Sequence, residues 1–447
     1  MTHDSCKVQR ARSPPQTPPS VKTMHAPALR LSIALFVLAL PPSSVTACVS
    51  DLLDCSLNGR CNCAQRCRCI CSPGWRGPDC GVLNLGPTGD SPFPGGTGRI
   101  YPAPGANTSS WGGGVVFRDG WYHLYVSEMA GHCGLATWGT NSFIRHAISD
   151  TVDGIFTPQE TVLPTWGHNA MPWVTPEGDI TVWHIGNGTR SHPEHTGCSN
   201  GTTPLARSAA ARAARATGTR SPQPLGAPPP IAHVPYSANP GGPWKRMPIT
   251  CVLHGGGGNG PCPIDNPTPV AYANGTTLVA HRARGGFGVL VAPHWSGPYR
   301  NVIHGQDLNY TNIRVPDDEY SCEDGFLFRD GRDGLHLLCH CNGEYGYPWD
   351  DHGRHAFSEN GVDWRWSAGR AFLPTFVHPD GTNTTHVSRQ RPQLVFGPNQ
   401  SGPTHLITGI SVASTNRPYL WQSGCGELDA VSKPCDLTCT SMQPVLP

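Results

Sequence analysis

The chain has 447 residues, a formal net charge of +1 and only 14% charged residues. Phosphate binding needs a concentrated basic surface, so this composition argues against nucleic acid as the main partner. Glycine (53) and proline (46) are abundant and both disfavour helix interiors, which predicts short strands joined by many turns.

The first element in chain order is a short apolar run. Arg30 precedes the run, which spans 31–40, and Val45-Thr46-Ala47 offers a small-residue cleavage site. About ten apolar residues are too few to span about 30 Å of hydrocarbon as a helix. We interpret residues 1–47 as an N-terminal extension and signal peptide cut after Ala47. This predicts a secreted mature chain without a membrane span, with an uncleaved membrane anchor as the alternative.

Cysteine usage agrees with an oxidising compartment. Of 19 cysteines, Cys6 precedes the signal, eight lie between Cys48 and Cys80, and ten are dispersed over the rest. An even, dispersed set predicts disulfides. Reduced thiols or zinc are the alternative, but the only local ligand-like pair, Cys339-His-Cys341, is spaced too tightly for a usual zinc site.

The chain also carries N-x-[ST] sequons, each beside residues typical of turns. In a chain with a signal peptide they predict a glycoprotein with these asparagines in surface loops. The predicted glycosylation sites are Asn107, Asn187, Asn200, Asn274, Asn309, Asn383 and Asn399.

Residues 48–80 are too few to bury a sufficient core, so cross-links have to restrict the unfolded chain. The CSLNGRC segment, Cys69-x-Cys71, Pro-Gly-Trp-x-Gly and Cys80 together resemble an EGF-like domain. The resemblance implies a spacer or protein-contact role, and no calcium is expected because Asp51 and Asp54 fit the calcium-binding consensus poorly. The disulfides that it implies are Cys48–Cys61, Cys55–Cys69 and Cys71–Cys80. We assign residues 81–104 to a linker.

Between residues 105 and 425 the chain repeats two half-motifs five times. One half is a pair of apolar runs around a glycine-bearing turn, and the other is a shorter strand ending in a turn and an aromatic residue. Four strands per unit and five units predict an all-β fold, a five-bladed β-propeller. Residues 203–230 are an Ala/Arg- and Pro-rich insert, interpreted as a disordered loop or a gene-model error. We assign residues 426–447 to a cysteine-containing C-terminal tail.

In a propeller the first residues of each innermost strand face the central funnel. Carboxylates, amides and arginine occupy these positions, and sugar cleavage needs such groups. One carboxylic acid protonates the leaving oxygen, and a second carboxylate activates water or attacks the sugar carbon. We therefore predict a glycan or polysaccharide partner, with no cofactor and no metal. The funnel positions are Trp111-Gly112-Gly113, His168-Asn169, Asp265-Asn266, Glu323-Asp324 and Arg389 to Arg391.

Two of these segments carry a family resemblance. Ile264-Asp265-Asn266-Pro267 and Cys322-Glu323-Asp324-Gly325-Phe326 resemble the third- and fourth-blade signatures of five-bladed glycosidases, the arabinanase/xylosidase (family 43-like) and invertase-like enzymes. The resemblance covers residues 105–425. It implies Glu323 as general acid and Asp265 as the residue that orients it and tunes its pKa. The ligand-binding candidates are Asp324, Asn169, His168, Arg391 and Trp111.

The sequence departs from the family at blade one. The family places its base or nucleophile aspartate where this chain has Trp111-Gly112-Gly113-Gly114, and we consider Glu128 and Asp90 as substitutes. Without a base, catalysis loses a factor of about 10²–10⁴. Two functions remain open: a hydrolase of furanoside- or xylose-type glycans, and a non-catalytic carbohydrate-binding or matrix protein.

Simpler interpretations of the same residues also remain open. Asp265 before Asn-Pro is a common turn opening, and Glu323-Asp324 is compatible with a solvated strand start. His132, His168 and His340 lie near predicted strand ends, where histidine contacts either a ligand or its own core.

Overall fold

The computed structural model describes residues 53–62, 68–88, 98–103, 108–135, 138–188, 233–253, 258–343, 351–386, 388–397, 402–411 and 438–447, which belong to one compact unit, 47–447. The predicted signal peptide, Cys48 and the insert 203–230 lie outside the described residues. Within these ranges, no helix has both the length and the apolar character needed to span a bilayer.

The cysteine-rich module at the amino end is built from two small hairpins. Its strands are β1 (Gly59–Asn62), β2 (Arg68–Cys71), β3 (Trp75–Arg76) and β4 (Val82–Leu83), with β1 paired to β2 and β3 to β4. A separate strand, β5 (Arg99–Tyr101), follows it.

Five antiparallel sheets follow and form the predicted five-bladed propeller. Blade one contains β6 (Ser110–Arg118), β7 (Trp121–Met129), β8 (Ser142–Ser149) and β9 (Thr157–Leu163), with a 3₁₀ turn (Ala130–His132) and the short helix α1 (Trp138–Asn141) between β7 and β8. Blade two contains β10 (Gly167–Val174), β11 (Ile180–Gly186), β12 (His233–Ser237) and β13 (Lys245–Pro248), and a hairpin of β14 (Thr250–Val252) and β15 (Asn259–Pro261) follows it.

Blade three contains β16 (Asp265–Ala271), β17 (Thr277–Ala283), β18 (Gly286–Ala292), β19 (Arg300–Asn301) and β20 (Ile313–Arg314). Blade four contains β21 (Glu319–Arg329), β22 (Leu335–Gly343), β23 (Asp351–Ser358) and β24 (Arg365–Trp366), followed by a hairpin of β25 (Thr375–Val377) and β26 (Asn383–Thr385). Blade five contains β27 (Ser388–Phe396), β28 (Pro403–Ser411), β29 (Thr438–Pro444) and β5.

Local sequence explains why the inner strands pair as hairpins. Between β6 and β7, Asp119 and Gly120 both have positive φ, 53° and 84°, the geometry of a two-residue type I′ turn that matches the twist of paired strands. Gly178 and Gly275 have positive φ in the corresponding hairpins of blades two and three. The predicted turns therefore connect the first and second strands of these three blades, as expected.

The fifth blade includes two segments that lie outside the predicted propeller range 105–425. Residues 99–101, assigned to a linker, and residues 438–444, assigned to a tail, are strands of this sheet, where β29 pairs with β28 on one side and β5 on the other. The third strand predicted at 411–421 lies outside the described residues beyond Ser411. Strands from both ends of the chain thus close the ring, which removes free edges between the first and last blades.

Hydrophobic clusters fill each gap between neighbouring blades. Trp183 and Val279 belong to the cluster between blades two and three, and Phe287 and Leu337 to the cluster between blades three and four. Tyr101 joins blade five to blade one. Burial between blades is therefore continuous around the ring, as the apolar runs of the repeats require.

The cysteine-rich module packs onto the propeller, so it is not a free spacer. Trp75 and Leu83 share one buried cluster with Leu338, Phe372 and residues of blade five. The amide of Leu83 donates to the carbonyl of Ala371 at 2.9 Å. The module therefore belongs to the core of blades four and five. Its EGF-like nature and any protein contact remain predictions.

Two predicted disulfides of the module, Cys55–Cys69 and Cys71–Cys80, are formed. Cys61 is also disulfide-bonded, but its predicted partner Cys48 lies outside the described residues. In the propeller, the bonds Cys251–Cys262 and Cys322–Cys341 join neighbouring strand ends. The expectation that the cysteines are all paired is wrong for Cys339, which is a buried free thiol. Cys341 lies directly opposite Cys322 and forms the disulfide with it.

Four of the predicted glycosylation sites lie in the described residues. Asn274, Asn309 and Asn383 are exposed, and Asn187 is partly buried. Asn107, Asn200 and Asn399 lie outside the described residues, so glycosylation stays a prediction.

The shared core predicts that the module stabilises the propeller. Trp75 is buried, with its ring 4.8 Å from that of His355 in blade four. We expect Trp75→Ala to lower the free energy of unfolding by about 3–5 kcal/mol, through lost burial and the cavity left behind. Ile70→Ala, at an exposed position of the same module, is the matched control and should change it by less than about 0.5 kcal/mol. Denaturant unfolding of the whole chain measures both, and equal effects would contradict this docking.

Candidate active site

All five innermost strands carry the same irregularity near their first residues. In each, the ladder to the second strand is interrupted by one extra residue, a β-bulge. One residue at each bulge has positive φ, a conformation that glycine, asparagine and aspartate adopt more readily than other residues. These five positions are Gly112, Asn169, Asn266, Asp324 and Arg391.

The side chains at these positions connect neighbouring blades around the axis; we call them the axial ring. Asn169 Nδ2 donates to Asn266 Oδ1 at 2.6 Å, and Asn266 Nδ2 donates to Asp324 Oδ1 at 2.9 Å. Arg391 Nη2 lies 2.7 Å from Asp324 Oδ1. Gly112 leaves room for the arginine, since a Cβ there would lie 2.7 Å from Arg391 Cβ. The axial ring thus joins blades two to five and packs against blade one.

The residue just before each member of the axial ring lies at the beginning of the funnel wall. In blades three and four these residues are Asp265 and Glu323, whose side chains are 24% and 26% exposed. Both approach Arg282: its Nη1 lies 2.8 Å from Glu323 Oε2 and 3.9 Å from Asp265 Oδ2. Because both distances start from Arg282 Nη1, Glu323 Oε2 and Asp265 Oδ2 lie no more than 6.7 Å apart. The two predicted catalytic carboxylates therefore lie beside the same guanidinium, and we call Asp265, Glu323 and Arg282 together the pocket.

Arg282 determines the charge of this pocket. The negative charge of Glu323 is the largest influence on Arg282 and raises the pKa of its guanidinium. Burial raises the pKa of Asp265, against the opposing influence of Arg282 and Arg391. The Arg282–Glu323 salt bridge therefore lies beside Asp265, a carboxyl group whose pKa burial raises.

Asp324 is a buried charge of the axial ring and lines a small cavity with Asn266 and Arg391, so its role as a sugar ligand stays a prediction. Burial works to raise its pKa, but Arg391 and His340 outweigh burial and lower the pKa. His340 Nδ1 lies 3.1 Å from Asp324 Oδ2, and although burial opposes protonation, Asp324 and other carboxylates raise the pKa of His340. The extra residue of the bulge turns Asp324 towards the axis.

The other predicted ligand residues are divided between core and funnel. Asn169 is buried in the axial ring, and His168 is buried with its Nδ1 2.6 Å from Ser142 Oγ. Burial and then Arg391 lower the pKa of His168 well below its usual range. Arg391 retains slight exposure. Asn169 lines the same small cavity as Asp324, and ligand binding by Asn169 and His168 stays a prediction.

Trp111 stands where the family places its base, and it is buried. It packs with Met129, Cys133 and Leu135, away from the carboxylates. Of the proposed substitutes, Glu128 forms an ion pair with Arg145 at 3.3 Å and accepts a hydrogen bond from Tyr101, so it is held in the blade-one wall. Asp90 lies outside the described residues. Blade one therefore presents no carboxylate at this position in the described part of the chain.

Sequence reasoning missed Arg282 and Asp351. The signal for Arg282 was its place at the end of an apolar strand, directly opposite Asp265. Asp351 is fully buried between blades four and five, where Ser388 and Gln390 donate to its Oδ2 at 2.8 and 2.7 Å. Burial raises the pKa of Asp351 to about 6, despite the nearby His340. Asp351 is thus a second carboxyl group whose pKa is raised by burial.

No protein-family model matches this sequence, and no curated protein matches it. Solved structures of similar fold include Zg3597, a family 117 glycoside hydrolase from the marine bacterium Zobellia galactanivorans, with 12% identity and a TM-score of 0.45 over 77% of this chain and 87% of that chain. Another is the catalytic domain of the Coprinopsis cinerea GH62 α-L-arabinofuranosidase, with 10% identity and a TM-score of 0.45 over 84% of this chain and 97% of that chain. A thermostable family-43 glycoside hydrolase shares 10% identity and a TM-score of 0.44 over 77% and 92%. This likeness concerns the fold alone.

The buried Asp351 predicts a specific pH dependence. Its folded pKa of about 6 exceeds the ordinary 3.8, so the folded state favours the protonated form. The penalty for ionising Asp351 is fully present above pH 6 and disappears as the pH falls below 3.8. Asp351→Asn removes this penalty, so its stability relative to the wild type should improve by about 2–3 kcal/mol between pH 4 and pH 7.

Denaturant unfolding of both proteins across this pH range measures the difference. Asp333→Asn, at an exposed hairpin carboxylate, is the control and should show little change with pH. A stability difference for Asp351→Asn that stays constant with pH would contradict a titrating buried carboxyl group.

Proposed function

We propose that this protein is a secreted, non-catalytic glycan-binding propeller whose funnel holds a sugar through Asp265, Glu323 and Arg282. The observation that carries the proposal is the 2.8 Å contact between Arg282 Nη1 and Glu323 Oε2. Carboxylates accept hydrogen bonds and the guanidinium donates them. Because each sugar hydroxyl both donates and accepts, such a half-exposed trio suits adjacent hydroxyl groups of a glycan.

The same contact argues against cleavage. A general acid has to donate a proton to the leaving oxygen, and here Arg282 Nη1 occupies Glu323 Oε2 at 2.8 Å. Cleavage also needs a base or nucleophile, and blade one offers buried Trp111 there. The requirement for a general acid and the requirement for a base or nucleophile are thus unmet for independent reasons, while the polar groups needed for binding are retained.

Several observations support action outside the cell. Four disulfides lie within the described residues, two in the module and two in the propeller. Disulfides persist in oxidising compartments, where soluble glycans of cell walls and matrices are also found. We propose that the outer face of the module is available for protein contact, since its inner face packs on blades four and five.

Glycan binding by the full chain tests the proposal. We expect isothermal calorimetry to detect binding to arabino- or xylo-oligosaccharides, and Glu323→Gln and Asp265→Asn each to weaken it at least about tenfold through loss of a charged hydrogen bond. Asp333→Asn removes an exposed carboxylate in the turn of the β21–β22 hairpin, at the opposite end of β21 from Glu323, and should bind like the wild type.

Aryl arabinofuranosides and xylosides test the absence of catalysis in the same preparations. We expect no turnover by the wild type. Turnover that disappears in Glu323→Gln would establish a hydrolase instead. A wild type that binds no glycan, or variants that bind as the wild type does, would reject the funnel site.

A further inference from the structure

An exposed indole lies next to His168, the residue that precedes Asn169 of the axial ring. Trp138 lies in α1, between the second and third strands of blade one, and its side chain is 40% exposed. Its ring stacks on His168 with centroids 5.3 Å apart and planes inclined by 29°. Trp166 lies beside it, with ring centroids 6.3 Å apart.

His168 ties this indole to the funnel floor. It immediately precedes Asn169 of the axial ring, and the charges of Arg391 and Asp324 both reach it. Ser142 fixes its ring through the 2.6 Å contact to Nδ1. One face of Trp138 is therefore supported by a buried ring whose orientation is set by the same network that carries Asp265 and Glu323.

The indole stays 40% exposed although it stacks on His168. An exposed aromatic ring with one face supported offers an apolar surface that remains in place when a ligand arrives. Blade one, which lacks the family's carboxylate, provides an aromatic surface instead.

We propose that Trp138 is a platform for a second sugar ring, so that the funnel takes an oligosaccharide rather than a single sugar. The inference rests on the proposed glycan-binding function. The C–H face of a pyranose or furanose matches an exposed indole face, while its hydroxyls stay hydrated. Trp138 belongs to blade one and the two carboxylates to blades three and four, with His168 of blade two between them. A ligand that contacts both places has to extend beyond one ring.

Chain-length dependence of binding tests the platform. The probes are xylotriose with xylose, and arabinotriose with arabinose, titrated against the full-length protein by calorimetry. We expect Trp138→Ala to weaken trisaccharide binding about tenfold and to leave monosaccharide binding unchanged. Trp138→Phe, which keeps an aromatic face, should retain most of the affinity.

Trp121→Ala is the matched control. Trp121 is 45% exposed at the opposite end of β7, in the hairpin turn, and its loss should change neither affinity. Tryptophan fluorescence gives a second measurement: trisaccharide should quench it in the wild type, and the quenching should decline in Trp138→Phe, whose fold circular dichroism verifies.

The outcomes separate the two proposals. Unchanged trisaccharide affinity in Trp138→Ala, together with a loss in Glu323→Gln, would overturn the platform and leave the funnel site standing. If Trp138→Ala weakened monosaccharide and trisaccharide binding equally, the assignment of Trp138 to a second sugar ring would be wrong. A wild type that binds neither length would reject the glycan-binding function, and the platform with it.

Discussion

The site depends on the axial ring, the set of positive-φ residues that meet where the five inner strands begin. Asn266 is its centre: it accepts from Asn169 and donates to Asp324, so that blades two, three and four share one chain of hydrogen bonds. Asp324 extends this chain to Arg391 of blade five. Because these contacts fix the start of each inner strand, they also fix the direction of the residues just before them.

This arrangement places charge in the interior, where it has to be balanced. Asp324 is buried among Asn266, Arg391 and His340, which satisfy its oxygens and favour its ionised form. Removing one partner of such a group leaves an uncompensated buried charge, which commonly costs about 3–5 kcal/mol. The axial ring is therefore a rigid support, and the half-exposed trio of Asp265, Glu323 and Arg282 lies above it at the solvent boundary. In the proposed function the glycan contacts the trio, while the axial ring keeps the trio in place.

Much of this organisation could be predicted from the sequence, and the failures have a common cause. The repeated hairpins gave the blades, and the family signatures placed Asp265 and Glu323 together. Strand alternation alone cannot say which of Glu323 and Asp324 faces the funnel, because a bulge adds one residue and changes the direction of the side chains. Trp111 occupies the position where the family has its aspartate, and its apolar ring is buried beside Met129 and Leu135, which the sequence pattern alone does not reveal. The strand Arg99–Tyr101 was too short to recognise without its partner β29, more than 300 residues away.

The most direct measurement is a double-mutant cycle between Arg282→Gln and Glu323→Gln on the free energy of unfolding. If Arg282 and Glu323 form the ion pair that defines the pocket, the two substitutions should be coupled by about 0.5–1 kcal/mol at low salt, and the coupling should shrink as salt is added. Strictly additive effects at every salt concentration would show that the two side chains do not pair, and the account of a binding site disabled for catalysis would then be wrong.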